Sequence, residues 1–243
     1  MSTLRKDDGI ILRTLKYGET SLIADVFTLD EGMKSFILQG ARSQKSAYSP
    51  TSIQVMAIVH LDYYANERSG LNRMKELRLA RSYDLIPLEF PRRAIGLFLC
   101  ELTRKSLIKY QVNRELYNLL DHTLRHLDQA KHFADLHIWY LLRIAQLMGF
   151  GIQWGSNDTD DKYFDLLEGN FTSEKPIHDY FIAPTHCLLL TQIQEFYIFD
   201  ENAVMPKTSD RKILLEKLLQ YFKLHHTGFQ DLTSYSVLLE VFK

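Results

Sequence analysis

Over the first eighty residues, hydrophobic and polar positions alternate with the two-residue period of β-strands, and short turns separate the alternating runs. The runs predict five strands, over 8–16, 21–29, 33–39, 53–64 and 74–83. Gly32 belongs to a predicted tight turn, because glycine accepts the positive φ that such turns need. Five short strands without an intervening helix predict a small barrel, since closure removes sheet edges. The pattern favours an OB-like barrel and leaves an SH3-like barrel open.

After residue 83 the period changes, and apolar residues recur every three to four positions, as on one face of a helix. Pro91 is suited to the first turn of a helix. The pattern predicts helices over 92–111, 114–129, 133–150, 187–199, 211–226 and 233–242. We therefore predict a multi-domain α and β protein in which an OB-fold-like five-stranded barrel precedes an α-helical domain. Its segments are a barrel over 1–83, a helical bundle over 84–152, an irregular acidic insert over 153–184, and C-terminal helices packing on the bundle over 185–243.

Charge is unevenly distributed along the chain, although its sum is close to zero. The 243 residues carry 29 Lys and Arg against 30 Asp and Glu, so the net charge of −1 does not indicate a nucleic-acid partner. Between residues 32 and 82, eight cations stand against three acids, whereas between 156 and 182 two cations stand against seven acids. A basic barrel and an acidic insert follow from this asymmetry.

Catalytic and metal-binding motifs are absent from the sequence. It contains no phosphate-binding GxxxxGK[ST], no GxGxxG, no GxSxG and no HExxH. His122 and His126 have the i, i+4 spacing of a metal pair, but a solvated helix face explains them better. The acidic run 158–161 lacks the glycine and the glutamate that complete a calcium loop. We therefore expect no enzymatic activity and no cofactor.

Compartment is indicated by the cysteines and by the N-terminus. Cys100 and Cys187 lie in apolar helical surroundings, which predicts buried free thiols and a reducing compartment. The chain begins with charged residues and has no signal-peptide core, and no apolar run approaches the ~20 residues of a membrane span. We expect a soluble cytoplasmic protein that associates with the nucleoid when it is bound to DNA.

Cations interleaved with tyrosines on the barrel strands and loops are the main candidate binding residues. Charge for phosphates and rings for bases are what sequence-tolerant single-strand binding uses. The predicted DNA-binding residues are Arg13, Lys34, Arg42, Lys45, Tyr63, Arg73, Lys75 and Arg78. Alternatively, the tyrosines pack the barrel and the cations only keep its surface hydrated; the residue pattern leaves both interpretations open.

Several short motifs, in order along the chain, resemble the RecO family of bacterial DNA repair proteins. They are Gly9–Arg13, Tyr17–Leu22, Phe27–Thr28, Gly40–Arg42 followed by Lys45–Ser46, Leu147–Phe150 after the third predicted helix, and Leu218–Phe229 near the end. The resemblance covers nearly the whole chain, and its specificity lies in the ordered set.

The resemblance implies a mediator of recombinational repair in the RecF pathway. It implies binding of single- and double-stranded DNA, annealing of complementary strands, and loading of the RecA recombinase on strands coated by single-strand-binding protein. The implied partners are RecR, the acidic C-terminal tail of single-strand-binding protein, RecA and, in some lineages, RecF. Carried over by position, the loop Gly40–Ser46 with Arg42 and Lys45 would touch DNA.

One departure from the family concerns zinc. Many members carry four cysteines after the third helix, whereas residues 151–184 contain none here. Structural zinc selects thiolate and imidazole, so we expect no structural zinc. Aromatic side chains should hold the region instead.

A second interpretation makes the chain a scaffold that binds acidic partner tails with little direct DNA binding. The candidate partner-binding residues, on the first predicted helix, are Arg92, Arg93, Arg104, Lys105 and Lys109. Each of them would equally suit an ordinary solvated helix face.

Overall fold

The chain forms two units, Met1–Gln129 and Ala130–Lys243. The computed structural model describes residues 3–66, 70–107, 111–154, 162–196 and 207–241.

Five strands in the first unit close into a barrel. They are β1 (Leu4–Tyr17), β2 (Ser21–Thr28), β3 (Gly32–Leu38), β4 (Ile58–Tyr64) and β5 (Leu71–Arg81). Their order around the barrel is β1-β2-β3-β5-β4; β3 and β5 are parallel and the other pairs are antiparallel. This Greek-key order is that of an OB-fold. The predicted OB-like barrel is confirmed, and the SH3-like alternative is excluded.

The fourth strand begins later than the sequence predicted. Thr51–Ile53 forms a short 3₁₀ turn, and Met56 takes a positive φ of 78°, which a β-strand does not accommodate. The Met56 N–H donates to the carbonyl of Ile11, and the Ile11 N–H donates to the carbonyl of Ala57. These bonds fasten the turn to β1, so regular pairing of β4 starts only at Ile58.

The outer surface of the barrel is covered over β1 and β2 by the two helices of the same unit, α1 (Phe90–Ser106) and α2 (Arg114–Gln129). Ile10 and Phe27 lie outside the barrel core yet are fully buried, and the Phe27 ring meets Tyr117 of α2 edge-on at 5.6 Å. A Cβ on Gly32 would lie 2.4 Å from the carbonyl oxygen of Gln111. The segment before α2 therefore lies directly on the β2–β3 turn.

Asp128, at the end of α2, holds the connection between the barrel and α1. Its carboxylate accepts hydrogen bonds from the backbone N–H groups of Asp84, Leu85 and Ile86, each at 2.9 Å. Burial raises the pKa of Asp128, but these donors outweigh it and lower the pKa below the usual range. The ionised carboxylate is thus the form that fastens the turn to α2.

The second unit contains α3 (Leu136–Leu147), α4 (Pro184–Phe196), α5 (Thr208–His225) and α6 (Ser234–Val241). It also contains a small antiparallel sheet of β6 (Tyr163–Asp165), β7 (Asn170–Thr172) and β8 (Phe181–Ile182), in the order β7-β6-β8. Nearly every side chain of α3 is buried, and this helix packs on α4 and α5. The structure therefore groups the helices differently from the predicted bundle over 84–152, because α3 needs apolar partners on all sides.

Aromatic rings hold the sheet of the second unit, as the sequence predicted. Phe164 lies 5.1 Å from Phe171 and 5.5 Å from Tyr221, measured between ring centroids, and Trp154 lies 5.9 Å from Phe171. The Tyr221 hydroxyl donates to the carbonyl of Phe150 at 2.7 Å. No helix within the described residues is long and apolar enough to cross a membrane.

Candidate nucleic-acid interface

The register of the barrel aligns a row of side chains across four strands on the outer face. Leu15 of β1 pairs with Ile23 of β2, Ile23 with Ile37 of β3, and Ile37 with Arg73 of β5. Directly opposed residues on one face are near neighbours, so three aliphatic side chains and a guanidinium form one band. Leu15 is 44 % exposed, Ile23 and Ile37 are half-buried, and Arg73 is exposed. We call these four residues the outer row.

Tyr17 extends the outer row with an aromatic ring. It lies two residues beyond Leu15 on β1, hence on the same face, and it is 50 % exposed. Gly18 follows with a φ of 56° and turns the chain into β2. The ring is therefore presented at the β1–β2 turn, and in OB-folds this turn and the β2–β3 face bind oligonucleotides.

The basic loop over 39–50 packs against the same turn. The Arg42 N–H donates to the carbonyl of Thr20 at 2.7 Å, and the Arg42 guanidinium reaches the carbonyl of Gly18 at 3.5 Å. Gly40 takes a φ of 68°, which starts the turn closed by the Ser43 N–H on its carbonyl. Arg42 and Lys45 are both exposed. The predicted basic loop therefore lies beside the turn that carries Tyr17.

Strand β5 supplies further cations. Met74 and Leu77 point inward, and Arg73, Lys75 and Arg78 are exposed. A register shift opposite Asp62 and Tyr63 leaves Lys75 without an opposed residue on β4. Arg78 lies 3.5 Å from Glu76, opposite His60 of β4, so it sits away from the outer row. Arg73 and Lys75 are the β5 cations nearest to the row.

A second row, next to the outer row on the same face, contains a carboxylate. Arg13 pairs with Asp25 and Asp25 with Ser35 across β1, β2 and β3. Arg13 donates to Asp25 Oδ2 from Nε at 2.7 Å and from Nη2 at 2.6 Å, while the Ser35 hydroxyl donates to Oδ1 at 2.7 Å. Asp25 is 5 % exposed, whereas the Arg13 side chain is 42 % exposed. Arg13 is thus present on the predicted face but is already paired.

Two of the sequence candidates lie elsewhere. Tyr63 is fully buried inside the barrel, with its ring edge-on to Phe36 at 5.0 Å, so its assignment as a DNA-contacting residue is wrong. The alternation of Val59, Leu61 and Tyr63 already favoured this inward position. Lys34 is paired with Glu31 at 2.7 Å, and its side chain is only 17 % exposed. A DNA phosphate would therefore have to displace Glu31 to reach it.

The candidate partner-binding residues that the structure describes differ in their exposure. Arg92 is buried and donates to Glu89 at 2.8 Å and to the carbonyl of Leu127, and Lys105 pairs with Glu101 at 3.1 Å. The burial of Arg92 contradicts its prediction as a partner-binding residue, and the Lys105 side chain is only 12 % exposed. Arg93 is exposed, with its guanidinium 5.8 Å from the centre of the Phe90 ring.

Arg104 and Lys109 are the two remaining candidate partner-binding residues. Arg104 of α1 lies near Arg13 and Asp25; burial, followed by repulsion from Arg13, lowers the pKa of Arg104. Arg104 is thus a partly buried cation of α1 near the Arg13–Asp25 pair. Lys109 lies outside the described residues.

Sequence reasoning missed the aliphatic members of the outer row, Leu15, Ile23 and Ile37. Their signal was available in the predicted β1–β2 hairpin, because a tight turn at Gly18 pairs Leu15 with Ile23. The parallel pairing that adds Arg73 was not available, because β3 and β5 are more than thirty residues apart.

The two cysteines are buried free thiols that lie in different units of the chain. Cys100 is buried in α1 of the first unit and Cys187 in α4 of the second, and burial raises the pKa of each thiol to about 12. Within the described residues, no group of three or more His, Cys, Asp or Glu side chains could hold a metal ion.

Comparison with known proteins covers both halves of the chain. Residues 1–83 match the family model described as Recombination protein O N terminal, and residues 88–230 match Recombination protein O C terminal. The chain is 30 % identical over 241 residues to a protein of Bacteroides fragilis, covering 98 % of this chain and 99 % of the relative. It is 31 % identical over 241 residues to a protein of Christiangramia forsetii, covering 96 % and 97 %. Both relatives bear the name DNA repair protein RecO.

Proposed function

This chain belongs to the RecO family of DNA repair proteins, and we propose that it binds single-stranded DNA on the outer face of its barrel. Its role is in DNA repair and recombination. The observation that carries the proposal is the outer row, in which the exposed Leu15 and the half-buried Ile23 and Ile37 lie between Tyr17 and Arg73. Apolar side chains can pack against the faces of the bases, and cations can bind the phosphates of the same DNA strand.

In the proposed mechanism the protein acts without bond-making chemistry or a cofactor. Cations at the rim reduce the repulsion between two phosphate backbones, while the row holds bases through contacts that any sequence can make. Complementary strands held in this way can pair and leave. The protein would thereby anneal strands and, with RecR and in some lineages RecF, help to load RecA on strands coated by single-strand-binding protein.

An exposed apolar strip near the start of α1 supports a partner site for the same process. Leu88 is 76 % exposed, Phe90 is 54 % exposed and Leu97 is 39 % exposed, and Arg93 lies over the Phe90 ring. Apolar surface beside a cation suits a short tail that carries both acidic and apolar residues. We therefore propose Arg93, rather than the buried Arg92, as the contact for the tail of single-strand-binding protein.

The experiment that tests DNA binding is fluorescence anisotropy with a labelled single strand of about 30 nucleotides, which exceeds the ~4–16 nucleotides that one OB-fold covers. If Arg42, Lys45, Arg73 and Lys75 each neutralise one phosphate, log K should fall with log salt with a slope of about −3. Absence of binding at low salt would contradict the proposal and favour the scaffold that binds acidic tails. Direct titration with the tail peptide then tests that alternative.

Replacement of Tyr17 by alanine separates base contact from charge. We expect affinity to fall by roughly 5- to 150-fold, because stacking on an aromatic ring contributes about 1–3 kcal/mol per base. The salt slope should stay unchanged, since no phosphate contact is lost. Tyr180→Ala is the matched control, because Tyr180 is also exposed and lies in the acidic second unit. A change in slope, or an equal loss in the control, would remove Tyr17 from the interface.

A further inference from the structure

Asp25 is a negative charge on the outer face, one row along the strands from the outer row. Its two carboxylate oxygens are both occupied, Oδ2 by the Arg13 guanidinium and Oδ1 by the Ser35 hydroxyl. Arg104 of α1 lies close enough for both Arg13 and Asp25 to act on its charge. The carboxylate is thus held in place from β1 and β3, with a second cation nearby.

Arg13 is more accessible than its partner. Its side chain is 42 % exposed and the Asp25 side chain 7 %, so an incoming group can reach the guanidinium while the carboxylate stays behind it. Carboxylate and phosphate oxygens bind guanidinium with the same forked geometry. A phosphate at this face would therefore compete with Asp25 for Arg13, two residues along β1 from Leu15 of the outer row.

We propose that Asp25 is a built-in competitor of the DNA backbone, which occupies Arg13 in the free protein and yields it to a phosphate when a strand binds. The inference rests on the proposed single-strand binding and adds its regulation. Each strand gains a contact only by displacing an existing ion pair, so the net gain from Arg13 is small. The affinity for DNA therefore stays moderate, as strand annealing and release require.

Asp25→Asn tests the inference, because asparagine keeps the shape and removes the charge. Arg13 then contacts its phosphate without first giving up an ion pair, and a full phosphate contact on a single strand is worth about 5-fold in affinity near 0.1 M salt. We expect binding about 5-fold tighter with an unchanged salt slope, because Arg13 neutralises the same phosphate in both complexes. In an Arg13→Gln background, Asp25→Asn should give much less gain, which a double-mutant cycle measures.

Asp121→Asn is the matched control for net charge. Asp121 is 7 % exposed and accepts a hydrogen bond from Arg125 at 3.2 Å, so this substitution removes the same charge from an equally buried aspartate of α2. A gain in affinity as large as that of Asp25→Asn would show a general charge effect and overturn the inference. Wild-type binding with no tightening in Asp25→Asn would also overturn it, while leaving the proposed function intact.

A measurement on the wild-type chain avoids dependence on the fold of any variant. The NMR signal of the Arg13 Nε–H should shift when the single strand is added, because its acceptor changes from carboxylate to phosphate. The NMR signal of the Arg125 Nε–H, which donates a hydrogen bond to Asp121, should not shift. An unmoved Arg13 signal at saturating DNA would contradict the inference; failure of the wild-type chain to bind DNA at all would instead contradict the proposed function.

Discussion

Reversing the charges of Arg42, Lys45 and Arg73 together is expected to weaken binding of single-stranded DNA by at least about 100-fold near 0.1 M salt. Each lost contact on a single strand is worth about 5-fold at that concentration, and the introduced glutamates add repulsion. The salt slope should become shallower, from about −3 to about −1, since one of the four cation–phosphate contacts remains. All three side chains are exposed, so the fold should tolerate the change.

Lys175, Lys207 and Lys212 provide the matched control for this variant. They are exposed cations of the second unit, and their replacement by glutamate changes net charge by the same amount. We expect this control to bind DNA with the wild-type salt slope. An equal loss in both variants would mean that net charge alone governs binding. A loss confined to some DNA sequences would reveal base readout, which contradicts a phosphate-tracking interface.

Replacing Phe164 by alanine should destabilise the second unit by about 3–5 kcal/mol, the usual cost of removing a buried aromatic side chain from a core. Phe164 is fully buried and its ring contacts both Phe171 and Tyr221, which join the small sheet to α5. We propose that these contacts, rather than a bound metal, stabilise this region. Denaturant unfolding and hydrogen exchange of residues 162–196 would measure the loss.

A zinc chelator supplies the second half of that test. Because neither buried cysteine has a ligand set around it within the described residues, we expect EDTA to leave the unfolding curve unchanged. Ile177→Ala serves as the control substitution, because Ile177 is fully exposed in the same region and its truncation should cost almost nothing. Either of two results would contradict the proposal that aromatic contacts, rather than a metal, stabilise this region. One is a loss of stability on addition of EDTA; the other is a Phe164→Ala variant as stable as the control.

The β-hairpins of the barrel were predictable because the information that specifies them is local. Alternation over 21–29 and 33–39, with a glycine that takes a φ of 73° between them, specifies a hairpin wherever it lies in a fold. The late start of β4 was missed for an equally physical reason. The positive φ of Met56 is imposed by its backbone bond to Ile11, which no pattern within residues 53–64 encodes.

The candidate site was predictable in kind more than in detail. The sequence predicted Arg42, Lys45, Arg73 and Lys75 as exposed cations, and all four are exposed. For the other predicted site residues, the sequence did not distinguish exposed side chains from those that are buried or already paired. Arg92 illustrates the difficulty, because an arginine early in an amphipathic helix looks solvated until the carbonyl of Leu127, thirty-five residues away, is placed beside it.

By itself the sequence determined the two kinds of structure, the basic and acidic segments, the absence of cysteine from residues 151–184 and the family to which the chain belongs. These properties depend on periodicity, composition and motif order, which are written along the chain. Only the tertiary structure decided which part of the barrel is free. Closure through the parallel β3–β5 pair brings Arg73 beside Ile37, and packing of α1 and α2 buries Ile10 and Phe27 while leaving Leu15 and Tyr17 exposed. Such choices are made by contacts between distant segments, because a side chain becomes surface or core only when its neighbours are in place.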